Sequence, residues 1–200
     1  MALTALALIC TLKPSPQESS TELIASQVLE QLAQQGVTGS SVRVVDHDVK
    51  PGVTDDEGDG DAWPAIREQV LATDILVLAT PTWMGQLSSI AMRVLERLDN
   101  ELGVTDDDNR PILFGKVAIA AVVGNEDGAH HISSQLFQAL NDTGYTIPAQ
   151  GVTYWNGEAM QATDYRDVSP TPEKTAATNA TVAKNAAHLA GLLQNSNYPA

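Results

Sequence analysis

The sequence is poor in cysteine, in aromatic residues and in positive charge. Cys10 is the only cysteine among 200 residues, which excludes a disulfide framework and a thiolate metal cluster. Only 11 lysines and arginines stand against 25 aspartates and glutamates, so the formal net charge is −14. Because this charge repels a polyanion and no basic stripe is present, we expect no nucleic-acid partner. The acidic surplus favours solubility or, alternatively, an acidic face for a basic protein partner.

Long hydrophobic runs are also missing, so we expect no membrane association. The first ten residues, MALTALALIC, have no positive charge before their apolar stretch, as a signal peptide would. They therefore predict a first strand and a cytoplasmic protein. Since 43 % of the residues are hydrophobic, the chain can form a sizeable core. Its length predicts a single domain, residues 1–195, followed by a short C-terminal tail, residues 196–200.

Short apolar runs alternate with amphipathic segments along the chain. The runs predict strands at residues 3–9, 41–45, 74–80, 116–124 and 146–155, several of them apolar enough to be covered on both faces. Five helical patterns alternate with these strands, the first at residues 20–35 and the last at residues 172–194, with Thr171 as its cap. Strict alternation predicts an α/β fold, a doubly wound five-stranded parallel sheet with helices on both faces. Ligands of such sheets bind beyond the carboxyl ends of the strands.

The loop CTLKPSPQESST, residues 10–21, follows the first strand and is rich in hydroxyl groups. The next helix offers unpaired backbone N–H groups and a dipole that favours an anion. Ser19 and Glu22 have the spacing of a capping box at its start. Both the GxGxxG fingerprint and the Gly-Lys-Thr core of a Walker loop are missing. Two interpretations stay open: a phosphate site to which Lys13 adds a charge, or an ordinary loop before a capped helix.

Two later loops also have unusual chemistry. PTWMGQLSS, residues 81–89, offers backbone on which a flat aromatic ligand would rest, with Gly85 allowing close approach and Trp83 or Met84 covering a ring face. Alternatively, Trp83 and Met84 are core residues of a tight turn. GNEDGAHH, residues 124–131, supplies donors and acceptors without bulk. His130 and His131 point about 100° apart on a helix, so we expect no metal site.

Together these loops resemble the flavodoxin-like superfamily and, within it, the branch of NAD(P)H-dependent FMN reductases and quinone reductases. The resemblance covers nearly the whole chain. It is carried by TLKPSPQESST, ATPTWMGQLSS and VVGNEDGAHH, which follow the first, third and fourth strands. It implies strand order 2-1-3-4-5 and FMN as the cofactor.

The resemblance also implies which residues hold each part of FMN. The phosphate would be held by Thr11, Lys13, Ser19, Ser20 and Thr21. The isoalloxazine ring would be lined by Pro81, Thr82, Trp83, Met84, Gly85 and Gln86. The pyrimidine side would meet Gly124, Asn125, Glu126 and Gly128. The chain departs from the family in its first loop, where reductases often carry an arginine and short flavodoxins a central glycine.

The implied function is that of an FMN-dependent oxidoreductase. Electrons would pass from NAD(P)H through bound FMN to a quinone, a free flavin or a similar small acceptor. Because the cofactor carries this chemistry, we expect no dedicated catalytic side chain. Family members commonly form dimers or tetramers, so a homo-oligomer is expected.

Two alternatives to the reductase stay open. One is a flavodoxin-type electron-transfer protein that acts with protein partners and without NAD(P)H turnover. The other is a domain without flavin that serves only as a structural or interaction module. The segment YWNGEAM, residues 154–160, has no family role. Tyr154 or Trp155 would either close the flavin site from the side or pack the edge strand.

Overall fold

The computed structural model describes residues 2–159 and 161–200. Met1 and Met160, the last residue of the YWNGEAM segment, lie outside the described residues. The strands are β1 Thr4–Ile9, β2 Thr38–Arg43, β3 Ile75–Trp83, β4 Gln86–Leu87, β5 Val117–Gly124 and β6 Val152–Asn156. Five of these strands form a parallel sheet in the order β2-β1-β3-β5-β6, and β4 pairs antiparallel with the end of β3. The predicted doubly wound sheet and its strand order are confirmed, and the two-residue β4 is an addition.

The helices of the described residues cover both faces of the sheet. They are α1 Ser20–Gln34, α2 Trp63–Leu71, α3 Ser89–Leu98, α4 Ala129–Asp142 and α5 Glu173–Asn195. Alternate residues of β1 enter two separate cores, with Leu6 and Leu8 on the face of α2, α3 and α4 and Ala7 on the face of α1 and α5. None of these helices is long and apolar enough to cross a membrane.

Several predicted boundaries were wrong, including the end of the third strand, which lies at Trp83 rather than Thr80. The second strand begins at Thr38, because exposed polar residues of this edge strand pair with β1 although they carry no hydrophobic signal. The last strand begins at Val152, and only a single bridge at Thr146 precedes it, since Pro148 has no N–H to donate to the ladder. The N-cap of α5 is Pro172 instead of Thr171.

The parallel register brings the ends of four strands to one edge of the sheet. Ile9 pairs with Ala79, Pro81 with Val123, and Gly124 with Asn156. The loops that follow β1, β3, β5 and β6 therefore meet at this edge. The segment after β2, residues 44–62, starts beside the first of these loops, because Arg43 pairs with Ile9.

Candidate functional site

A cleft opens at the edge where these loops meet. Its empty space, including the part open to solvent, is about 720 Å³. Its walls are Thr11, Leu12, Lys13, Ser19, Ser20, Thr21, Pro81, Thr82, Trp83, Val123, Gly124, Asn125, Trp155, Asp164 and Tyr165. Ten of the fifteen predicted site residues are among these walls, and they come from all three loops identified in the sequence.

The hydroxyl-rich end of the cleft is built on the start of α1. Ser19 is the N-cap, and its Oγ accepts a hydrogen bond from the Glu22 backbone N–H at 3.3 Å. The capping box is only half present, because the Glu22 carboxylate pairs with Arg43 instead. Thr11 Oγ1 accepts from the Lys13 backbone N–H at 3.2 Å. The first N–H groups of α1 have no intrahelical acceptor, so this end of the cleft favours an anion.

The Thr82 side chain presents a buried hydroxyl at the cleft. Thr82 is 4 % exposed, and its Oγ1 has no hydrogen-bond partner. An unpartnered buried polar group costs about 1–3 kcal/mol, and Thr82 is also one of the walls of the cleft. Gly124 lies against the same side chain, and a Cβ on Gly124 would stand 2.7 Å from Thr82 Cβ. The close contact between Gly124 and Thr82 in the cleft wall therefore requires glycine at position 124.

Aromatic side chains flank the cleft on two sides. Trp83, at the end of β3, is 51 % exposed. Trp155, on β6, packs against Tyr165 with ring centroids 5.4 Å apart, and Tyr165 donates its hydroxyl to Gln27 Oε1 at 2.6 Å. Tyr154 points elsewhere and meets His130 edge-on at 5.2 Å. Of Tyr154 and Trp155, the two aromatic residues considered for closing the site, Trp155 lines the cleft.

The other five predicted residues, Met84, Gly85, Gln86, Glu126 and Gly128, are not among the described walls of the cleft. They join two loops: Glu126 Oε1 accepts from the Met84 backbone N–H at 2.8 Å, and Gln86 Oε1 lies 3.1 Å from His131 Nε2. Met84 and Gly85 form a two-residue hairpin loop between β3 and β4 with φ of 52° and 71°, as a type I′ turn requires. This turn leaves Met84 87 % exposed.

Sequence reasoning missed part of the wall that follows β6. Asp164 and Tyr165 line the cleft, and the next residue, Arg166, reaches the start of α1. Its backbone N–H donates to Ser20 Oγ at 3.3 Å and its Nη1 to the Glu18 carbonyl at 3.0 Å. Arg166 thus ties the segment after β6 to the start of α1, and its guanidinium lies within 4 Å of the carboxylates of Glu18, Asp164 and Asp167. The usable signal was its charge, since the whole chain has only 11 basic residues.

Nucleophilic and metal chemistry find little support at this edge. Cys10 directly follows β1 and is buried, and this burial raises the pKa of its thiol. The neutral thiol is a poor nucleophile. Across residues 2–159 and 161–200, no group of three or more His, Cys, Asp or Glu side chains is placed to hold a metal ion.

Comparison with known proteins identifies the family. The family model for NADPH-dependent FMN reductase matches residues 4–160. The chain is 33 % identical over 210 residues to 8-demethyl-8-aminoriboflavin-5'-phosphate synthase of Streptomyces davaonensis, covering 99 % of this chain and 81 % of that protein. It is also 36 % identical over 169 residues to a protein of Mycobacterium bovis named divalent metal cation transporter MntH, covering 82 % of this chain but only 25 % of that protein.

Solved structures share the fold. A crystal structure of RosB with the bound intermediate 8-demethyl-8-formylriboflavin-5'-phosphate superimposes with a TM-score of 0.90 at 32 % identity, covering 98 % of this chain and 82 % of that one. A flavone reductase structure gives a TM-score of 0.70 at 12 % identity over 99 % of this chain and 66 % of that one, which supports the fold alone.

Sheet, cleft and comparisons define a flavodoxin-like, flavin-dependent oxidoreductase. The chain belongs to the NADPH-dependent FMN reductase family, so the predicted family, enzyme class and cofactors, FMN and NAD(P)H, are confirmed. The cleft fits FMN, because it combines an anion-favouring helix start with a buried unpartnered hydroxyl and aromatic flanks.

Proposed function

We propose that the protein takes electrons from NAD(P)H and passes them through FMN in the cleft to a small acceptor such as a quinone or a free flavin. The observation that carries this proposal is the Thr82 hydroxyl, buried and unpartnered in the same cleft as the hydroxyl-rich start of α1. Bound FMN supplies the redox chemistry, so the chain needs only to bind it, orient it and shield it from water.

The two ends of the cleft suit the two ends of FMN. The phosphate is assigned to the start of α1, where hydroxyl groups, backbone N–H groups and the cation of Lys13 gather. The ring is assigned to the backbone and side chains of Pro81, Thr82 and Trp83, opposite Gly124 and Asn125. The contact between the Met84–Gln86 turn and the Glu126–Gly128 loop holds Trp83 in place beside the ring.

A second candidate is an enzyme for which a flavin 5'-phosphate is the substrate. It is favoured by 33 % identity across 99 % of the chain to a synthase of an aminoflavin phosphate. The TM-score of 0.90 to a structure holding a formylflavin phosphate points the same way. The same cleft serves both candidates, because each needs the phosphate and the ring to be held.

One experiment separates the candidates. The protein is loaded with FMN without oxygen, NADPH or NADH is added, and the visible absorbance of the oxidised flavin is followed. A second sample is incubated in air with FMN and an amino acid as amino donor, and the flavin is analysed by mass spectrometry. Rapid bleaching with an unchanged flavin mass supports the reductase, whereas a new flavin mass supports the second candidate. Bound flavin that neither bleaches nor changes favours an electron carrier and overturns both.

A triple variant tests the phosphate assignment. Replacing Ser19, Ser20 and Thr21 by alanine removes three hydroxyl groups at the start of α1. FMN affinity is expected to fall by about tenfold or more, since hydrogen bonds to a charged group contribute about 1.5–3 kcal/mol each. Circular dichroism checks that the variant is folded. Unchanged FMN affinity in a folded variant would contradict the assignment.

The proposal also includes a cytoplasmic homo-oligomer, a dimer or tetramer, built from one FMN-binding domain over residues 1–195. Leu12 and Trp83 stand exposed at the cleft, where a neighbouring subunit would cover them. Light scattering that gives a monomer would contradict the oligomer. In the tail, residues 196–200, Tyr198 packs against Phe114 at 5.3 Å. A variant that ends at residue 195 is expected to bind FMN as the full chain does.

A further inference from the structure

The first loop contains no glycine between Thr11 and Ser19, and it has two prolines. Its shape is held largely from outside, by two charged residues at the end of β2. Arg43 is the last residue of β2, and Asp46 ends the short 3-10 turn that follows. Neither residue lines the cleft, and each contacts the loop that does.

Arg43 binds the loop from behind. Its Nη1 donates to the Gln17 carbonyl at 2.8 Å and to the Lys13 carbonyl at 3.3 Å. Its Nη2 pairs with the Glu22 carboxylate in the first turn of α1. The Arg43 side chain is buried, so these bonds form out of competition with water. One guanidinium therefore ties both halves of the loop to the helix start.

Asp46 binds the middle of the loop with both carboxylate oxygens. Oδ1 accepts from the Ser15 backbone N–H at 2.8 Å, and Oδ2 accepts from the Ser15 hydroxyl at 2.6 Å. These hydrogen bonds lower the pKa of Asp46, so the carboxylate stays charged. Charge alone makes this residue a poor neighbour for a phosphate, above all in a chain with a net charge of −14.

We propose that Arg43 and Asp46 are positioning residues that hold the first loop in the form that accepts the flavin phosphate. This inference rests on the proposed function, which assigns the phosphate to this loop. A loop that must order itself on binding lowers the affinity for its ligand, and a loop already ordered avoids that loss. The benefit is confined to ligands that carry the phosphate.

The direction in which FMN affinity changes in Asp46→Ala distinguishes a positioning role of Asp46 from an effect of its charge alone. If Asp46 acts only through its charge, replacing it by alanine removes repulsion and strengthens FMN binding. If Asp46 positions the loop, the same change frees Ser15 and weakens FMN binding. Riboflavin, which has the ring and no phosphate, should bind equally well in both cases.

The experiment measures the dissociation constants of FMN and riboflavin for the wild-type protein and for Asp46→Ala. The FMN constant is expected to rise about threefold to tenfold, the effect of one or two hydrogen bonds, with the riboflavin constant unchanged. Asp46→Asn keeps an oxygen that accepts from Ser15 N–H and is expected to retain most of the affinity. Asp48→Ala is the matched control, because it removes the same charge two residues away.

Each other outcome overturns the inference. If Asp46→Ala binds FMN as tightly as the wild-type protein or more tightly, Asp46 acts only through its charge. Equal losses for FMN and riboflavin leave only a general effect on the fold. If the wild-type protein binds FMN no better than riboflavin, the phosphate assignment itself fails, which is a separate result. Asp46 is exposed, so its variants are expected to fold, and Arg43→Met serves as a second test where circular dichroism shows that it folds.

Discussion

Two buried hydroxyl groups, those of Thr82 and Tyr145, find no hydrogen-bond partner among the described residues, and their surroundings are opposite. Thr82 is one of the residues that line the cleft, and its Oγ1 is buried there. Tyr145 is 2 % exposed and lies in the closed core, near the start of β5 and therefore at the opposite end of the sheet from the cleft. The same local deficit therefore lies at the wall of the cleft in one region and inside a closed core in the other.

Buried charged groups on or next to the helices that pack over this core form ion pairs. Arg67 donates to the fully buried Glu101 carboxylate from Nε at 2.6 Å and from Nη2 at 2.9 Å. Arg97 and Asp61 form a second pair at 2.8 Å with both side chains buried. Burial raises the pKa of Tyr145, and the charge of Glu101 adds to the effect.

The largest expected effect is a loss of stability on breaking the buried ion pair between Arg97 and Asp61. Asp61→Ala leaves Arg97 buried without its partner, which costs about 3–5 kcal/mol of unfolding free energy. The preference for FMN over riboflavin should stay unchanged, because neither residue lines the cleft. Urea unfolding and flavin titration measure the two effects. A loss below about 1 kcal/mol would show that this pair contributes little to the closed region.

Acid should weaken the closed region through the same carboxylate. Burial tends to raise the pKa of Asp61, but backbone hydrogen bonds from Glu57, Trp63 and Lys50, together with Arg97, outweigh it and lower the pKa to about 2. An unfolded Asp titrates near pH 3.9, so the stabilisation is complete above about pH 4 and is lost as the pH falls towards 2. The stability difference between wild type and Asp61→Asn should shrink across this window, and a constant difference would contradict the assignment.

A smaller effect, on flavin affinity, is expected from a substitution at the wall of the cleft. Thr82→Val keeps the shape of the side chain and removes the unpartnered hydroxyl. FMN and riboflavin affinity should both fall about tenfold, the effect of about 1.5 kcal/mol, while the flavin-free protein is as stable as wild type or more so. Flavin titration and thermal unfolding give both numbers. Unchanged flavin affinity would remove Thr82 from the site and with it the contrast with Tyr145.

The smallest effect is expected from Tyr145→Phe, which completes the comparison. Removing a buried hydroxyl that has no partner should change the unfolding free energy by no more than about 0.5 kcal/mol, or raise it. Flavin binding should be unaffected. A large loss of stability would show that the Tyr145 hydroxyl has a partner after all, such as a buried water.

The sheet and much of the cleft could be predicted because both depend on local signals. Continuous apolar runs mark strands that are buried on both faces, and the loops after them must meet at one edge. Met84 is expected beside a flavin ring, and in the structure the hairpin turn at Met84 and Gly85 leaves its side chain exposed. Sequence spacing alone did not indicate that two-residue turn, because the usual Asn-Gly signal is missing.

Contacts between distant residues could not be predicted. Arg166 meets Ser20 across 146 positions, and Asp46 meets Ser15 across 31. Such contacts join segments that are far apart in the sequence, so the local pattern around each residue does not fix where its side chain goes. The strand order places the segment after β2 next to the first loop, whereas the loop after β6 comes from the far edge of the sheet and reaches the first loop through Arg166.

The three tryptophans are distributed in a way that gives the protein its own optical reporter. Trp83 and Trp155 stand at the cleft, whereas Trp63 is fully buried against Arg97 on the far side of α2. A flavin that enters the cleft comes within energy-transfer range of the first two indoles, so its arrival is visible as quenched emission without any label. Replacing Trp63 by phenylalanine would leave a protein whose remaining fluorescence comes from the cleft alone.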